Sequence, residues 1–597
     1  VGVLAFAFAN VAALAVVAVV LPAHAEGART AVLWLWPYAF GLATLGTLAI
    51  ARVVPAPERR RFLTRHFLLY ACLPAGWSFA ATDPSGAAAR WATAYVVFAF
   101  AFSVHAAHGL WRGRHDLADA GVARLLASVV LVAQLMVVPF YTLAIPPEAD
   151  EPHYLILAQS LALDRDLDLQ NDYQPARYRA FYPGRLSDRH AIEVGSKLYP
   201  IRDLGLPILA ALPFALAGRA GVLILLGIIA ALVVWQSYLL LRDLGFARGV
   251  AFATVAVAAA THPLLTYANQ IYPDLIVTLV VLLVARLLGR GALLSTRGLV
   301  IAGALVGLLP WLTTRAWFLA LGLAACVLWR AAAPLLGDAT RDGAAWRRAG
   351  AVVAAGLAPI LVLAGLNQVL FGLALPGAGF YQIRGQQVVL SGQPYAGAVG
   401  LFFDRIFGLI GRAPIYLLAF IGIAGLLQRR GAGRGALLAA LGVPFLAHFV
   451  FIASLEHWHS DWAPASRNLV PLLPLLVAAG AAGLELTVAG VRVLGRPGRI
   501  AVLALVGAAL GWSIAVSLVY STLPQIRYNL PEQLRAAGTT GRLWRFVQDQ
   551  LGGIDVGRAF PSIVQDSGSA GPLSALWLAV ALGLVCAGWR LRRLRAA

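Results

Sequence analysis

Charge is scarce in this sequence. Only 12% of its 597 residues are Asp, Glu, Lys or Arg, roughly half the share of a soluble globular protein, so a soluble fold is excluded. Lys197 is the only lysine, and nearly every positive charge is therefore an arginine. The three cysteines, Cys72, Cys326 and Cys586, lie inside apolar runs, with no spacing for a disulfide framework or a zinc site. A Gly/Ser linker, an internal repeat and a glycine-rich phosphate loop are also missing, so neither a sizeable soluble domain nor a nucleotide-sugar site is expected. The net charge of +20 does not mark a nucleic-acid partner, because the basic residues are spread thinly between apolar runs.

What is present is grease: 60% of the residues are hydrophobic. Runs of the length a membrane helix requires predict an all-α polytopic membrane protein. About sixteen spans are expected, at 2–22, 32–53, 66–82, 91–111, 122–146, 220–241, 248–267, 273–289, 296–312, 316–330, 350–371, 412–428, 435–455, 469–491, 500–521 and 572–589. Residues 1–25 end in AHA, as before a signal-peptidase site, but lack a basic start and are apolar for too long, so a spanning helix is the reading. The run 204–218 is short and holds two prolines, and reads as re-entrant or interfacial.

Arginine crowds the short segments 51–65, 111–114, 242–249, 428–435 and 492–499 and the tail. The positive-inside rule then puts both termini in the cytoplasm. Three long segments, 147–219, 372–411 and 522–571, fall on the other face, and the last of them is expected to cover a site there, with TLPQIRYNLPEQLRAAG as an interfacial helix.

The polar residues worth attention fall on that outer face. PPEADEPHY sets Glu148, Asp150 and Glu151 where a span surfaces, with His153 and Tyr154 behind. The plain reading is a helix start with Glu151 as cap; the functional one is a carboxylate that takes a proton from a hydroxyl. LALDRDLDLQNDY resembles a calcium loop but has Leu169 where glycine is needed and Pro175 where glutamate is needed; a solvated turn suits Asp164 and Asp166. YANQIYPDLIV places Tyr272 and Asp274 at a helix start, where an acid either caps or faces a cavity. LLPWLTTRAWF and HWHSDWAPASRNLVPLLPLL bring Arg315 and Arg467 to the same face, each with a bland alternative as a snorkelling side chain. FYQIRGQQ and LFFDRIFGLIGRAPIYLLA add Tyr381, Arg384, Asp404 and Arg405. Glu456, His457 and His459 are a weak metal signal.

These motifs, in this order and on one face, resemble C-type (GT-C) membrane glycosyltransferases. The likeness is to the bacterial group that includes protein O-mannosyltransferases and the lipid A aminoarabinose transferase, and it covers roughly residues 122–520. ADEPHYLILAQSL with DLDLQNDY is similar to their first outer loop, IYPD to a YPE-type helix start, and WAPASRNLVPLLPLL to their tryptophan–arginine–PLLP element. The resemblance implies a GT-C-like core at 122–521, a four-helix extension at 1–121 and a terminal part at 522–597. It implies a bacterial inner-membrane enzyme that moves a hexosyl or pentosyl group from a polyprenyl-phosphate sugar to a hydroxyl of a glycan, lipid or protein, with inversion. Asp150 would be the general base, assisted by Glu151 and His153; Arg315, Arg467 and Arg384 would hold the donor phosphate; Tyr154, Asp172, Tyr272, Asp274, Tyr381 and Asp404 would line the substrate. The resemblance names no definite cofactor, and a divalent metal ion stays open. Where the family has arginine–tyrosine, this chain has Arg467–Asn468. Two other classes compete: a transporter or flippase of lipid-linked sugars, which would place ionisable groups near the midplane, and a ligase or polymerase using a pyrophosphate-linked lipid.

Overall fold

In lipid every backbone N–H and C=O must find its partner inside the protein, which leaves helices or closed barrels as spanning structures. The chain takes the first route. The computed structural model describes residues 26–66, 87–174, 176–186, 190–290, 294–333, 343–384, 390, 393–429, 431, 433–460, 462–529, 541–564 and 570–596. Eight helices among them are long and apolar enough to cross a membrane, and the chain is a multi-pass membrane protein. The expected span at 2–22, and all of 66–82 after its first residue, lie outside the described residues; each of the others meets a helix.

In chain order the first helices are α1 (Glu26–Ala51), α2 (Ala87–Gly113), α3 (Asp119–Ala144) and the short α4 (Glu151–Leu163). A two-stranded antiparallel hairpin follows, β1 (Ala191–Val194) and β2 (Lys197–Pro200), with Val194 opposite Lys197. Then come α5 (Gly205–Asp243), α6 (Arg248–Ala260), α7 (Asp274–Gly289), α8 (Thr296–Gly307), α9 (Trp317–Ala332), α10 (Gly343–Phe371), α11 (Ala378–Arg384) and α12 (Pro394–Phe403). The last six are α13 (Leu417–Leu427), α14 (Arg434–Ala453), α15 (Leu473–Val493), α16 (Arg496–Thr522), α17 (Arg542–Gln550) and α18 (Ala570–Ala596).

Three departures from simple spans position the site. The run 204–218 is helical from Gly205, but the helix breaks at Ala217 and Gly218, where φ 56° and ψ −140° at Gly218 is a conformation reserved for glycine. The piece before the break is therefore about 18 Å long, too short for a hydrocarbon core of about 30 Å. The expected span 248–267 ends early, at Ala260, and the chain makes one separate turn, Leu264–Tyr267, before α7. The expected span 469–491 is entered through a 3-10 segment, Arg467–Leu472. Pro471 and Pro474 cannot donate to an α ladder, so the first turns are irregular and their polar groups are free to face inward.

Helices approach closely where side chains vanish. A Cβ on Gly422 of α13 would lie 1.7 Å from the Ala479 carbonyl oxygen, and one on Gly483 of α15 would lie 1.8 Å from that of Leu418. Small residues at such crossings let backbones pack in lipid, where no hydrophobic force separates protein from solvent.

Candidate active site

The acidic turn comes first. Ala149 is left-handed (φ 53°), and this throws Asp150 to the N-cap position of α4. Its side chain makes no capping hydrogen bond, so the plain reading fails for Asp150, and the expected cap, Glu151, is already in the first turn. Instead the two carboxylate oxygens of Asp150 face guanidinium groups, Arg202 at 2.5 Å and Arg467 at 3.1 Å.

Arg467 is delivered by a second left-handed residue, Ser466 (φ 61°), which starts the 3-10 segment. While one terminal nitrogen holds Asp150, Nε donates to Asp274 at 3.2 Å. The guanidinium lies 4.1 Å from the centre of the Tyr272 ring, a cation–π arrangement. Arg467, Asp274 and Tyr272 are all buried. Three segments far apart in sequence thus meet at one arginine, and each brings a group whose charge or ring suits it.

Arg202 and its neighbours were not singled out by sequence. The β1–β2 hairpin feeds directly into Arg202–Asp203. Arg202 Nε donates to His190 Nδ1 at 3.0 Å, and the His190 ring stacks on His153 with centroids 3.7 Å apart. His153 in turn meets the Tyr173 hydroxyl at 3.1 Å. His153 therefore reaches Asp150 through His190 and Arg202. Asp203 accepts the backbone N–H of Thr314 at 3.1 Å, which ties this loop to the turn carrying Arg315. Arg315 donates to the Ser460 hydroxyl at 2.9 Å and to the Asn468 side-chain oxygen at 3.5 Å. Ser460 is a third left-handed residue (φ 67°). Backbone strain of this kind, at non-glycine residues next to Asp150, Arg467 and Arg315, is costly and persists where surroundings hold it.

The electrostatics follow from the contacts. Burial opposes charge on Asp150, but Arg202, Arg467, His190 and Arg315 outweigh it and hold the carboxyl well below its ordinary range. Burial, with His190 and Arg202 beside it, holds His153 neutral, well below its usual value. Burial pushes the Asp203 carboxyl up to about 6 despite the Thr314 N–H and the nearby arginines.

Other expected site residues take different parts. Glu151 is buried, with its oxygens accepting the N–H groups of Ile271 at 2.7 Å and Glu148 at 3.0 Å. It staples the acidic turn to the segment before α7 rather than facing the arginines. Tyr154 packs edge-on to Tyr272 with centroids 6.3 Å apart. Asp172 stands apart, buried, with Arg177 at 3.7 Å; burial and Asp164 push its carboxyl up to about 6. Asp164 pairs with Arg177 at 2.5 Å, and Asp166 accepts from Ser160 at 3.1 Å, an arrangement that fits the turn reading. Asp404 is buried, and its oxygens accept the N–H groups of Ile406, Phe407 and Ile563 at 2.8–2.9 Å, the pattern of a buried turn. Arg405, read beside it as a surface pair, turns to Asp555 at 2.5 Å. Tyr381 is 39% exposed on α11, and no contact joins it to Asp150 or Arg467 among the described residues. The side chain of Arg384, at the end of α11, lies outside the described residues. His459 is buried against Phe407, with ring centroids 4.9 Å apart, and no group of three or more candidate metal ligands occurs among the described residues. Of the expected interfacial helix, only a short 3-10 turn at Pro524–Arg527 is described; residues 530–540 lie outside the described residues.

Three guanidinium groups converging near one exposed-enough carboxylate can bind an anionic group and accept a proton beside it. No family model matches the sequence, and no curated protein does. Among solved structures, ArnT from Cupriavidus metallidurans in the apo state is similar over 77% of this chain and 76% of its own, at 17% identity and a TM-score of 0.42. The same protein bound to undecaprenyl phosphate gives 16% identity with the same coverage and score. The oligosaccharyltransferase of Archaeoglobus fulgidus in the apo form is similar over 71% of this chain and 59% of its own, at 13% identity and a TM-score of 0.40.

Proposed function

We propose that the chain is a membrane glycosyltransferase that moves a sugar from a polyprenyl-phosphate donor to a hydroxyl acceptor at the outer face, in one inverting displacement. The observation that carries the reading is the carboxylate of Asp150 shared between Arg202 and Arg467. A base and an anion cradle are in direct contact, which is what transfer from a phosphate-linked donor requires.

The chemistry explains an otherwise awkward fact. A carboxylate held by two guanidinium groups is fully charged but a poor base. A lipid phosphate offers those same N–H groups a bidentate partner of higher charge. As Arg202 and Arg467 turn toward it, Asp150 loses cationic neighbours and its basicity rises. The acceptor oxygen then attacks the anomeric carbon, its proton passes to Asp150, and the bond to the phosphate oxygen breaks with its electron pair. The phosphate departs on Arg202, Arg315 and Arg467; charge stabilisation of this kind makes a strong general acid unnecessary. Asp274 keeps Arg467 aimed while Asp150 is free, and His190 does the same for Arg202.

Purified protein incubated with a panel of polyprenyl-phosphate sugars and acceptor lipids or glycans should release free lipid phosphate with at least one pair. Asp150→Asn should lower that release by about 10²–10⁴-fold while the protein stays folded in detergent. Full activity in Asp150→Asn removes it as base, and no release with any donor ends the reading.

A further inference from the structure

The extension ahead of the core carries a second basic cluster, at the opposite end of the fold. α3 runs from Asp119 to Ala144, about 39 Å, and its C-terminal end leads to Asp150. At its other end, where α2 closes, a cavity of about 250 Å³ opens between α2 and the helical stretch 56–66. Arg61, Arg65, Arg112 and His108 line it, against one acid, Glu58. Arg112 clasps Glu58 with two nitrogens, Nε at 2.7 Å. No ion pair is seen for Arg61 or Arg65 among the described residues. The arginines outnumber the acid by two positive charges.

The wall of this cavity is preformed. Phe62 stacks on His105 with centroids 4.3 Å apart. Behind it α2 passes so close that a Cβ on Gly109 would lie 2.4 Å from the Phe62 ring. Next to the cavity, Arg114 lies 3.6 Å from the centre of the Trp111 ring, a pair suited to the headgroup level of a bilayer. The volume matches roughly eight waters, room for a phosphate with its glycerol.

We propose that this cavity binds the headgroup of an anionic glycerophospholipid, with its phosphate on Arg61 and Arg65. A lipid, rather than a soluble anion, fits because Val54 and Phe62 form an apolar side and because the cavity ends a helix long enough to cross the membrane. Basic pockets between membrane helices are built for this chemistry. The proposal stands apart from the transfer reaction and assigns a role to the extension.

The test is native mass spectrometry of the full chain equilibrated with equimolar phosphatidylglycerol and phosphatidylcholine. The wild type should retain phosphatidylglycerol at one site with a preference of about tenfold or more, as two arginines near a headgroup provide. Arg61→Gln/Arg65→Gln should bring that site to parity. Glu58→Gln releases Arg112 and should strengthen the preference, a gain that misfolding cannot mimic. Equal retention of both lipids by the wild type, or an unchanged preference in the double variant, overturns the proposal. So does displacement of the lipid by millimolar glycerol 1-phosphate, which would make the ligand a soluble anion.

Discussion

Arg467 holds Asp150 and the buried Asp274 on one guanidinium, and its removal strands Asp274 and leaves Asp150 with Arg202 alone. Breaking a buried pair typically costs about 3–5 kcal/mol. Arg467→Met should destabilise by that order in a denaturation series in detergent, and Asp274→Asn added to it should recover part of the loss, because one stranded charge is gone. Asp203 and Asp172 give a pH signature. Both carboxyls rise from 3.8 to about 6 on folding, so between those values the folded chain keeps protons that the unfolded chain releases. Their contribution is complete below about pH 4 and lost as pH rises through about 6. Thermal midpoints measured from pH 4 to 6 should show a flatter decline in Asp203→Asn/Asp172→Asn than in the wild type. At this scale the sequence was uneven. Asp150, Asp274 and Arg467 could be nominated because acids and arginines at helix mouths are expensive in a membrane protein, and Tyr272 came with Asp274 in the IYPD motif. Arg202 and His190 could not, because only the hairpin brings them to Asp150. Asp404 was nominated for the substrate side, and its bonds to N–H groups two and three residues on are a local turn pattern that the FFDRIFG stretch already permits.

Helices were legible because the apolar runs have the length of a helix that crosses a bilayer, where a barrel strand needs only about 9–11 residues. Their interruptions were harder to read. Gly218, Pro263 and Pro471 each signal a break, yet the direction the chain takes afterwards depends on packing that no local pattern encodes. The α13–α15 crossing is a prediction at this scale. Gly483→Ala places a methyl group against the Leu418 carbonyl, and backbone cannot swing aside as a side chain can. We expect a loss of about 1–3 kcal/mol, read as a lower melting temperature in detergent, while Gly507→Ala on α16, where a Cβ meets nothing within 4 Å, should leave it unchanged.

The whole molecule has two polar ends. One carries Asp150, Arg202 and Arg467; the other carries Arg112, the Asp119 pairs with Arg242 and Arg248 at 3.0 Å, and the Arg286–Asp243 pair at 2.7 Å. On the arginine bias of the short loops, the second end is the one we propose to be cytoplasmic. A cysteine placed at exposed Gly184 should therefore react with a membrane-impermeant maleimide in intact cells, and one at Arg499 only after lysis, in a background lacking Cys72, Cys326 and Cys586. The reverse pattern would invert the proposed topology. The piece of α5 before its break has a further consequence. Ile208, Leu209, Leu212 and Leu216 are 47–78% exposed on it, and Arg202 lies just upstream. A greasy float of this kind, too short to span, suits the water line: rising would put its leucines in water, and sinking would carry Arg202 into hydrocarbon. Under the proposed reaction it would moor Arg202 at a fixed depth, where a lipid-borne donor passes from hydrocarbon to phosphate.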